Sequence, residues 1–168
     1  MRIAVYAGTF DPITLGHLSV VERGARLFDR LLVVVAVNPR KQPLFSVEER
    51  IQLIEASVRG FPNVSATSTS SFVVDLARSQ GARYLIRGVR GATDTDAEIA
   101  LAHLNHELAP EIETVFVPAQ PELSEVSSSR LKELALEGAD LTRYCAPEVS
   151  AMLRQRLSPQ PAEEVGHG

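Results

Sequence analysis

The chain has 168 residues, of which 45% are hydrophobic, and a formal net charge of −4. This length predicts one domain with a sizeable core, and the negative charge argues against a nucleic-acid-binding surface, which needs excess Lys and Arg. The single cysteine, Cys145, excludes an internal disulfide. Because no apolar run approaches the ~20 residues of a membrane span, we expect a cytoplasmic protein that binds neither membranes nor nucleic acid.

The first predicted element is an apolar strand at residues 3–7, which leads into a glycine-rich turn. The turn, residues 8–17, reads Gly-Thr-Phe-Asp-Pro-Ile-Thr-Leu-Gly-His. Open α/β sheets bind ligands where such turns leave the carboxyl ends of strands. Its glycines permit close backbone approach, and Thr9 and His17 are the side chains suited to phosphate chemistry. The segment therefore predicts an anion site.

A βαβ unit follows from the next two segments. Apolar residues spaced three to four apart predict a helix over residues 17–28, and the aliphatic run at residues 31–37 is typical of a central parallel strand. The loop at residues 38–43 then lies on the same sheet edge as the first turn. We therefore expect Lys41, within that loop, to face the same crevice.

Two further elements complete the first half of the sheet. Ser46 and Glu49 match a capping box, in which each side chain satisfies a backbone N–H at a helix start. Residues 63–67 are then predicted to form a third strand, and residues 72–80 a third helix that ends at a glycine. The pattern remains strand, helix, strand, helix.

A short fourth strand at residues 84–86 carries the sequence Arg-Gly-Val-Arg of residues 87–90 to the same edge. Arginine guanidinium groups can form bidentate hydrogen bonds with phosphate oxygens, and the glycine between them lets a ligand approach the backbone. A fourth helix is predicted over residues 94–108. This segment adds a second basic cluster to the predicted site.

The last predicted strand, residues 114–117, precedes three serines at residues 127–129 that open a helix. Serines at a helix start are ordinarily caps, but three together at the positive end of a helix can also seat a polyphosphate. A final helix is predicted at residues 147–157. The polar remainder, residues 158–168, is expected to be a disordered tail.

Five strands alternating with helices predict a Rossmann-like, doubly wound parallel sheet with helices on both faces, formed by one domain over residues 1–157. The sequence contains no Walker loop, no Gly-x-Gly-x-x-Gly and no Gly-x-Ser-x-Gly elbow. Kinase, dinucleotide oxidoreductase and serine hydrolase chemistry are therefore disfavoured. What remains is positioning and charge stabilisation, which displacement at phosphorus chiefly requires.

The turn at residues 8–17 resembles the phosphopantetheine adenylyltransferase family of the nucleotidyltransferase superfamily, whose signature is Gly-Thr/Ser-Phe-Asp-Pro-x-Thr-x-Gly-His. The resemblance spans residues 2–157, which makes it far more specific than the turn alone. It implies the strand order 3-2-1-4-5. Further matching segments follow in order at Lys41, residues 46–50, residues 86–90, Asn105, residues 112–116 and residues 127–129.

The resemblance implies transfer of the adenylyl group of ATP to 4′-phosphopantetheine, giving dephospho-coenzyme A and pyrophosphate. It also implies Mg²⁺ that shields the triphosphate, coenzyme A as an inhibitor, and a homohexamer. It identifies no protein ligands for the metal. Because the acceptor phosphate is already ionised at neutral pH, this reaction needs no strong general base.

The same resemblance assigns roles to individual residues. The implied catalytic residues are His17, Thr9, Lys41 and Arg90. The implied phosphopantetheine-binding residues are Thr9, Lys41, Val73, Arg87 and Asn105. The implied ATP-binding residues are Thr9, Phe10, His17, Gly88, Val89, Arg90, Glu98, Leu123, Ser124, Glu125, Val126, Ser127, Ser128 and Ser129.

The chain departs from the family pattern near the expected adenine pocket. Ala97 lies within a run that is usually Asp-Phe-Glu-Tyr-Glu in the family, and Leu123 and Glu125 replace the aromatics of an aromatic-Ser-aromatic triplet. We expect phosphate chemistry to be intact and ATP binding to be weaker than in relatives with the aromatics.

Two alternative functions follow from these observations. One is a nucleotidyltransferase with another acceptor, such as nicotinamide mononucleotide or glycerol phosphate, although such enzymes usually differ in the last phosphate loop. The other is a nucleotide-binding regulator without turnover. The missing aromatics favour the regulator, whereas the presence of His17 and Lys41 argues against it.

Overall fold

The computed structural model describes residues 1–158, and its strands form one parallel sheet in the order β3-β2-β1-β4-β5. This confirms the predicted doubly wound architecture. The strands are β1 Ile3–Gly8, β2 Arg30–Ala36, β3 Val64–Thr69, β4 Tyr84–Val89 and β5 Glu113–Pro118. The helices are α1 Leu15–Leu27, α2 Val47–Ser57, α3 Val73–Ser79, α4 Ala92–Leu108, α5 Ser128–Leu136 and α6 Pro147–Leu157, with a 3-10 turn at Pro121–Leu123.

The core lies on both faces of the sheet. Alternating side chains of β1 and β2 enter two separate apolar clusters, so that Tyr6 and Val33 pack on one face and Val5 and Val34 on the other. Each fully buried valine contributes roughly 1.5–3 kcal/mol relative to exposure. The unbroken aliphatic run in β2 is therefore explained by helices that cover both faces.

The main correction to the predicted elements concerns β4. It does not end at residue 86 but continues through Arg87, Gly88 and Val89, which pair with residues 116–118 of β5. The polar side chain and the glycine interrupt the apolar pattern, but backbone pairing with β5 extends the strand. Arg87 and its neighbours therefore lie on a strand rather than in a loop.

The ends of the helices are set by local side chains. The capping box of α2 is confirmed, because Ser46 accepts from the backbone of Glu49 and Glu49 accepts from that of Ser46. α1 starts two residues earlier than predicted, with Thr14 as its N-cap. α6 has the predicted bounds, whereas the predicted disordered tail, apart from Ser158, lies outside the described residues.

No helix within residues 1–158 combines the length and the hydropathy needed to cross a bilayer.

Candidate active site

A cavity of about 410 Å³ lies at the carboxyl edge of β1 and β4. It is enclosed by the turn after β1, the end of β4, the first turns of α4 and the start of α5. Every residue assigned to ATP lines this cavity except Ser124 and Glu125. The fold therefore brings together segments that are more than 100 residues apart in the chain.

A smaller cavity of about 240 Å³ lies beside the first, at the end of β2. Lys41 lines this smaller cavity and not the larger one, and Thr9 lines both. Of the other residues assigned to phosphopantetheine, Arg87 lines the larger cavity, whereas Val73 and Asn105 line neither. The two cavities thus meet at Thr9.

The turn after β1 is tightly packed against the segment that precedes α5. A Cβ on Gly16 would lie 3.0 Å from the carbonyl oxygen of Val126 and 3.4 Å from Oγ1 of Thr14. The ring of Phe10 is buried and makes an edge contact with His17, with ring centroids 5.0 Å apart. Gly16 therefore allows the start of α1 to lie against the segment that precedes α5.

His17 is oriented by the cap of its own helix. Its Nδ1 lies 3.1 Å from the backbone nitrogen of Thr14, which can only donate. Nδ1 is therefore the acceptor, and the ring proton is on Nε2. Burial, together with the positive charges of Arg90 and Arg87, lowers the pKa of His17 to about 4. At neutral pH the side chain is thus a neutral Nε2–H donor at the cavity.

Arg87 is held in place by Glu98 and by the backbone of β1. Its Nε and Nη2 donate to Glu98 at 2.6 and 2.8 Å, and Nη1 donates to the carbonyl oxygen of Ala7 at 2.7 Å. Burial alone would lower the pKa of Arg87, but the Glu98 carboxylate more than offsets it and raises the pKa. These bonds use three of the five N–H donors of the guanidinium, so two donors remain for a phosphate oxygen.

Arg90 is less enclosed. Its Nε donates to Asp94 at 3.0 Å, and its side chain is 46% exposed. Surface pairs of this kind contribute little to stability, so the pair with Asp94 is readily exchanged for a phosphate. Of the two arginines in the larger cavity, Arg90 is the more accessible to an anion.

Two of the three serines have structural contacts. Ser127 caps α5 by accepting from the backbone nitrogen of Arg130 at 3.1 Å. Ser128 donates its hydroxyl to the carbonyl oxygen of Pro12 at 2.8 Å. Ser129 is exposed at the cavity, where the first N–H groups of α5 carry the positive end of its dipole. This arrangement allows capping and anion binding at the same helix end.

The structural role of Asp11, which is 5% exposed, could not be predicted from the sequence. Its carboxylate accepts from the backbone nitrogens of Leu44 and Phe45 at 2.8 and 2.9 Å, and from Nζ of Lys132 at 3.2 Å. Asp11 thus joins the turn after β1 to the end of the loop that carries Lys41 and to α5. Contacts between residues this far apart leave no signal in local spacing.

The described residues do not fit a protein-held Mg²⁺ site. Within residues 1–158, no three His, Cys, Asp or Glu side chains are grouped so as to hold a metal ion. The carboxylates at the larger cavity, those of Asp94 and Glu98, are each paired with an arginine. In this arrangement both carboxylates have an arginine partner and neither is grouped with further metal-ligating side chains.

A neutral imidazole donor, a helix N-terminus and several cations at the switch point of a doubly wound sheet form a site suited to polyphosphate ligands. Residues 5–134 match the model of the cytidylyltransferase-like family. The chain is 42% identical to phosphopantetheine adenylyltransferase of Heliobacterium modesticaldum, over 93% of each chain. It is 45% identical to that of Limosilactobacillus reuteri, over 94% of this chain and 91% of the relative. The chain belongs to the phosphopantetheine adenylyltransferase family.

Solved structures support the fold. A Vibrio parahaemolyticus protein described as a nicotinate-nucleotide adenylyltransferase has a TM-score of 0.71 and 22% identity, covering 94% of this chain and 95% of its own. A bifunctional NMN adenylyltransferase/ADP ribose pyrophosphatase from Francisella tularensis has a TM-score of 0.69 and 15% identity, covering 95% of this chain but 50% of its own. At these identities the likeness defines the architecture alone.

Proposed function

We propose that the chain transfers the adenylyl group of ATP to 4′-phosphopantetheine, releasing pyrophosphate and forming dephospho-coenzyme A. The observation that carries this proposal is the pair of cavities that meet at Thr9. The larger cavity suits a nucleoside triphosphate, and the smaller one suits the phosphate end of an acceptor. The curated relatives have this activity in their names, over nearly the whole chain.

In the reaction, an oxygen of the acceptor's phosphate attacks the α-phosphorus of ATP in line. A new P–O bond forms, the bond from the α-phosphorus to the bridging oxygen breaks, and pyrophosphate leaves with the electron pair. The second pKa of a phosphomonoester is about 6, so the attacking oxygen is ionised at neutral pH. Catalysis then depends on positioning and charge stabilisation rather than on a general base.

His17 donates its Nε2–H to an α-phosphate oxygen, where negative charge grows during attack. Thr9, between the two cavities, contacts both the acceptor's phosphate and the α-phosphate of ATP and so positions one against the other. Lys41 neutralises charge on the acceptor side, and Arg90 binds the β- and γ-phosphates. Residues 127–129, with the first N–H groups of α5, complete the seat for the leaving pyrophosphate.

Arg87, held in place by Glu98 and the carbonyl oxygen of Ala7, contacts the acceptor phosphate through its remaining N–H donors, and Glu98 contacts the nucleotide from the same cavity. Val73, at the start of α3, and Asn105, on α4, bind the pantetheine arm beyond the phosphates. Mg²⁺ would be bound through the oxygens of the nucleotide's phosphates and would supply charge shielding there. Each of these proposed contacts can be tested by a substitution at one residue.

The proposed assembly is a cytoplasmic homohexamer. None of the residues of α4, all within the described part of the chain, is buried, and the helix exposes Ile99, Leu104 and Leu108. Phe116 on β5 adds a further exposed apolar side chain. Apolar surface of this kind supports contact between copies of the chain.

Coenzyme A is the proposed inhibitor because it contains both an adenine nucleotide and the pantetheine arm.

The test of the proposed acceptor side is the substitution Lys41→Ala. We expect the KM for phosphopantetheine to rise about tenfold, because a charge-assisted contact to phosphate is lost, and the KM for ATP to rise much less. Steady-state kinetics with each substrate varied in turn measures both constants. Arg40→Ala is the matched control, since this neighbouring cation is exposed and lines neither cavity. An equal rise for both substrates would contradict the proposed division of the site.

A second expectation concerns the adenine pocket. Ala97 and Leu123 line the larger cavity, whereas Glu125 does not. Aromatic contacts contribute roughly 0.5–1.5 kcal/mol, so Ala97→Tyr or Leu123→Tyr should tighten ATP binding several-fold with little effect on the acceptor KM. Calorimetric titration of the parent and both variants with ATP and GTP measures this. Unchanged ATP affinity in both variants, or equal binding of GTP by the parent, would refute the description of the pocket.

A further inference from the structure

Arg50, near the start of α2, is a buried cation with no assigned role. Its exposure is 3%, and it is the one Lys or Arg among the buried residues described. A guanidinium removed from water normally has a carboxylate partner, because an uncompensated buried charge is costly. The groups around Arg50 therefore decide how its charge is compensated.

The protein partners of Arg50 are backbone carbonyl oxygens. Its Nη1 donates to Thr9 at 3.1 Å, and its Nε donates to Ser46 at 3.3 Å. These bonds use two of the five N–H donors of a guanidinium and supply only partial negative charge. Within residues 1–158, Arg50 forms no salt bridge.

The nearby acidic side chains are engaged elsewhere. Glu49, the preceding residue, accepts from the guanidinium of Arg156 at 2.5 Å and from the backbone of Ser46. Asp11, in the turn that Arg50 contacts, is occupied by two backbone nitrogens and Lys132. Asp11 and Glu49 thus each have another cationic partner, Lys132 and Arg156 respectively.

Arg50 lines the smaller cavity together with Lys41, and no acidic residue is among the residues that line it. Its other walls are mainly apolar, from the end of β2 and two prolines. This differs from the larger cavity, where each arginine is paired with a carboxylate of α4. Two cations without a carboxylate, within apolar walls of low polarisability, attract an anion strongly.

We infer that Arg50 is the buried countercharge for the acceptor's phosphate, an inference that rests on the proposed function. Its contact with the carbonyl oxygen of Thr9 fixes the charge beside the residue where the two cavities meet. Arg50 is preorganised by its two carbonyl contacts, whereas Lys41 is exposed on a loop. Arg50 therefore supplies charge to the acceptor phosphate without ordering a flexible side chain.

The test compares Arg50→Lys with Arg50→Gln. Both side chains keep a donor for a backbone carbonyl, but only lysine keeps the charge. By calorimetry, Arg50→Gln should bind 4′-phosphopantetheine about tenfold more weakly than the parent, and Arg50→Lys should stay within about threefold. Binding of unphosphorylated pantetheine should be the same in all three proteins. Melting temperatures of the ligand-free variants show whether each is folded.

Equal losses of phosphopantetheine affinity in the two variants would overturn the inference, because Arg50 would then act only by holding the backbone. Affinity equal to the parent's in Arg50→Gln would also overturn it. If glutamine prevents folding, Arg50→Lys decides alone, and a loss above about tenfold refutes the charge role. A parent that binds inorganic phosphate in an Arg50-dependent way, but does not prefer phosphopantetheine over pantetheine, would support the anion site and refute the proposed acceptor.

Discussion

Replacing His17 by alanine should lower kcat by a factor of ~10²–10³ while the affinity for ATP changes little. The Nε2–H is directed at charge that develops during attack. Its removal therefore costs the transition state more stabilisation than it costs the ground state. The Thr14 backbone holds the ring in this tautomer, and burial keeps it neutral, with a pKa of about 4. The donor is therefore present across the neutral pH range without a protonation step.

Single-turnover kinetics together with ATP titration separates the two effects of His17→Ala. His106→Ala is the matched control, because His106 is exposed on α4 and does not line the larger cavity. If ATP affinity fell by the predicted factor while turnover survived, His17 would be a binding residue rather than a catalytic one.

Replacing Asp11 by alanine should lower the free energy of unfolding by about 3 kcal/mol. The carboxylate compensates Lys132 and satisfies the backbone nitrogens of Leu44 and Phe45, which would be left without this acceptor. Because these bonds fix the end of the loop that carries Lys41, the KM for phosphopantetheine should rise as well.

Urea unfolding of Asp11→Ala measures the stability change. Asp96→Ala is the control, since this aspartate is exposed on α4 and its loss should change stability by less than about 1 kcal/mol. Equal stability of the two variants would show that the buried contacts of Asp11 do not hold the turn, the loop and α5 together.

The order of elements and the doubly wound parallel architecture could be predicted from the sequence because local patterns are strong, whereas the strand order was implied by the resemblance to the family. The aliphatic run in β2 and the Ser46–Glu49 capping box depend only on neighbouring residues. The extension of β4 to Val89 was not predictable in the same way. It results from pairing with Pro118 and its neighbours on β5, a contact between segments that the local pattern does not report.

The candidate site could be predicted in part for the same reason. The carboxyl edge of a parallel sheet brings together turns that follow different strands, so His17 and Arg90 fall in one cavity as the alternation of elements implies. The state of each side chain depends on partners that spacing does not identify. The pairing of Arg87 with Glu98 and the burial of Arg50 against Thr9 are contacts of this kind.

The most direct test of the central claim is pyrophosphate release by the purified chain with ATP and 4′-phosphopantetheine. We expect release that requires both substrates and forms dephospho-coenzyme A in equal amount. Cytidine triphosphate in place of ATP, and nicotinamide mononucleotide in place of phosphopantetheine, should give little product. Faster release with nicotinamide mononucleotide, or none with phosphopantetheine, would contradict the proposed function.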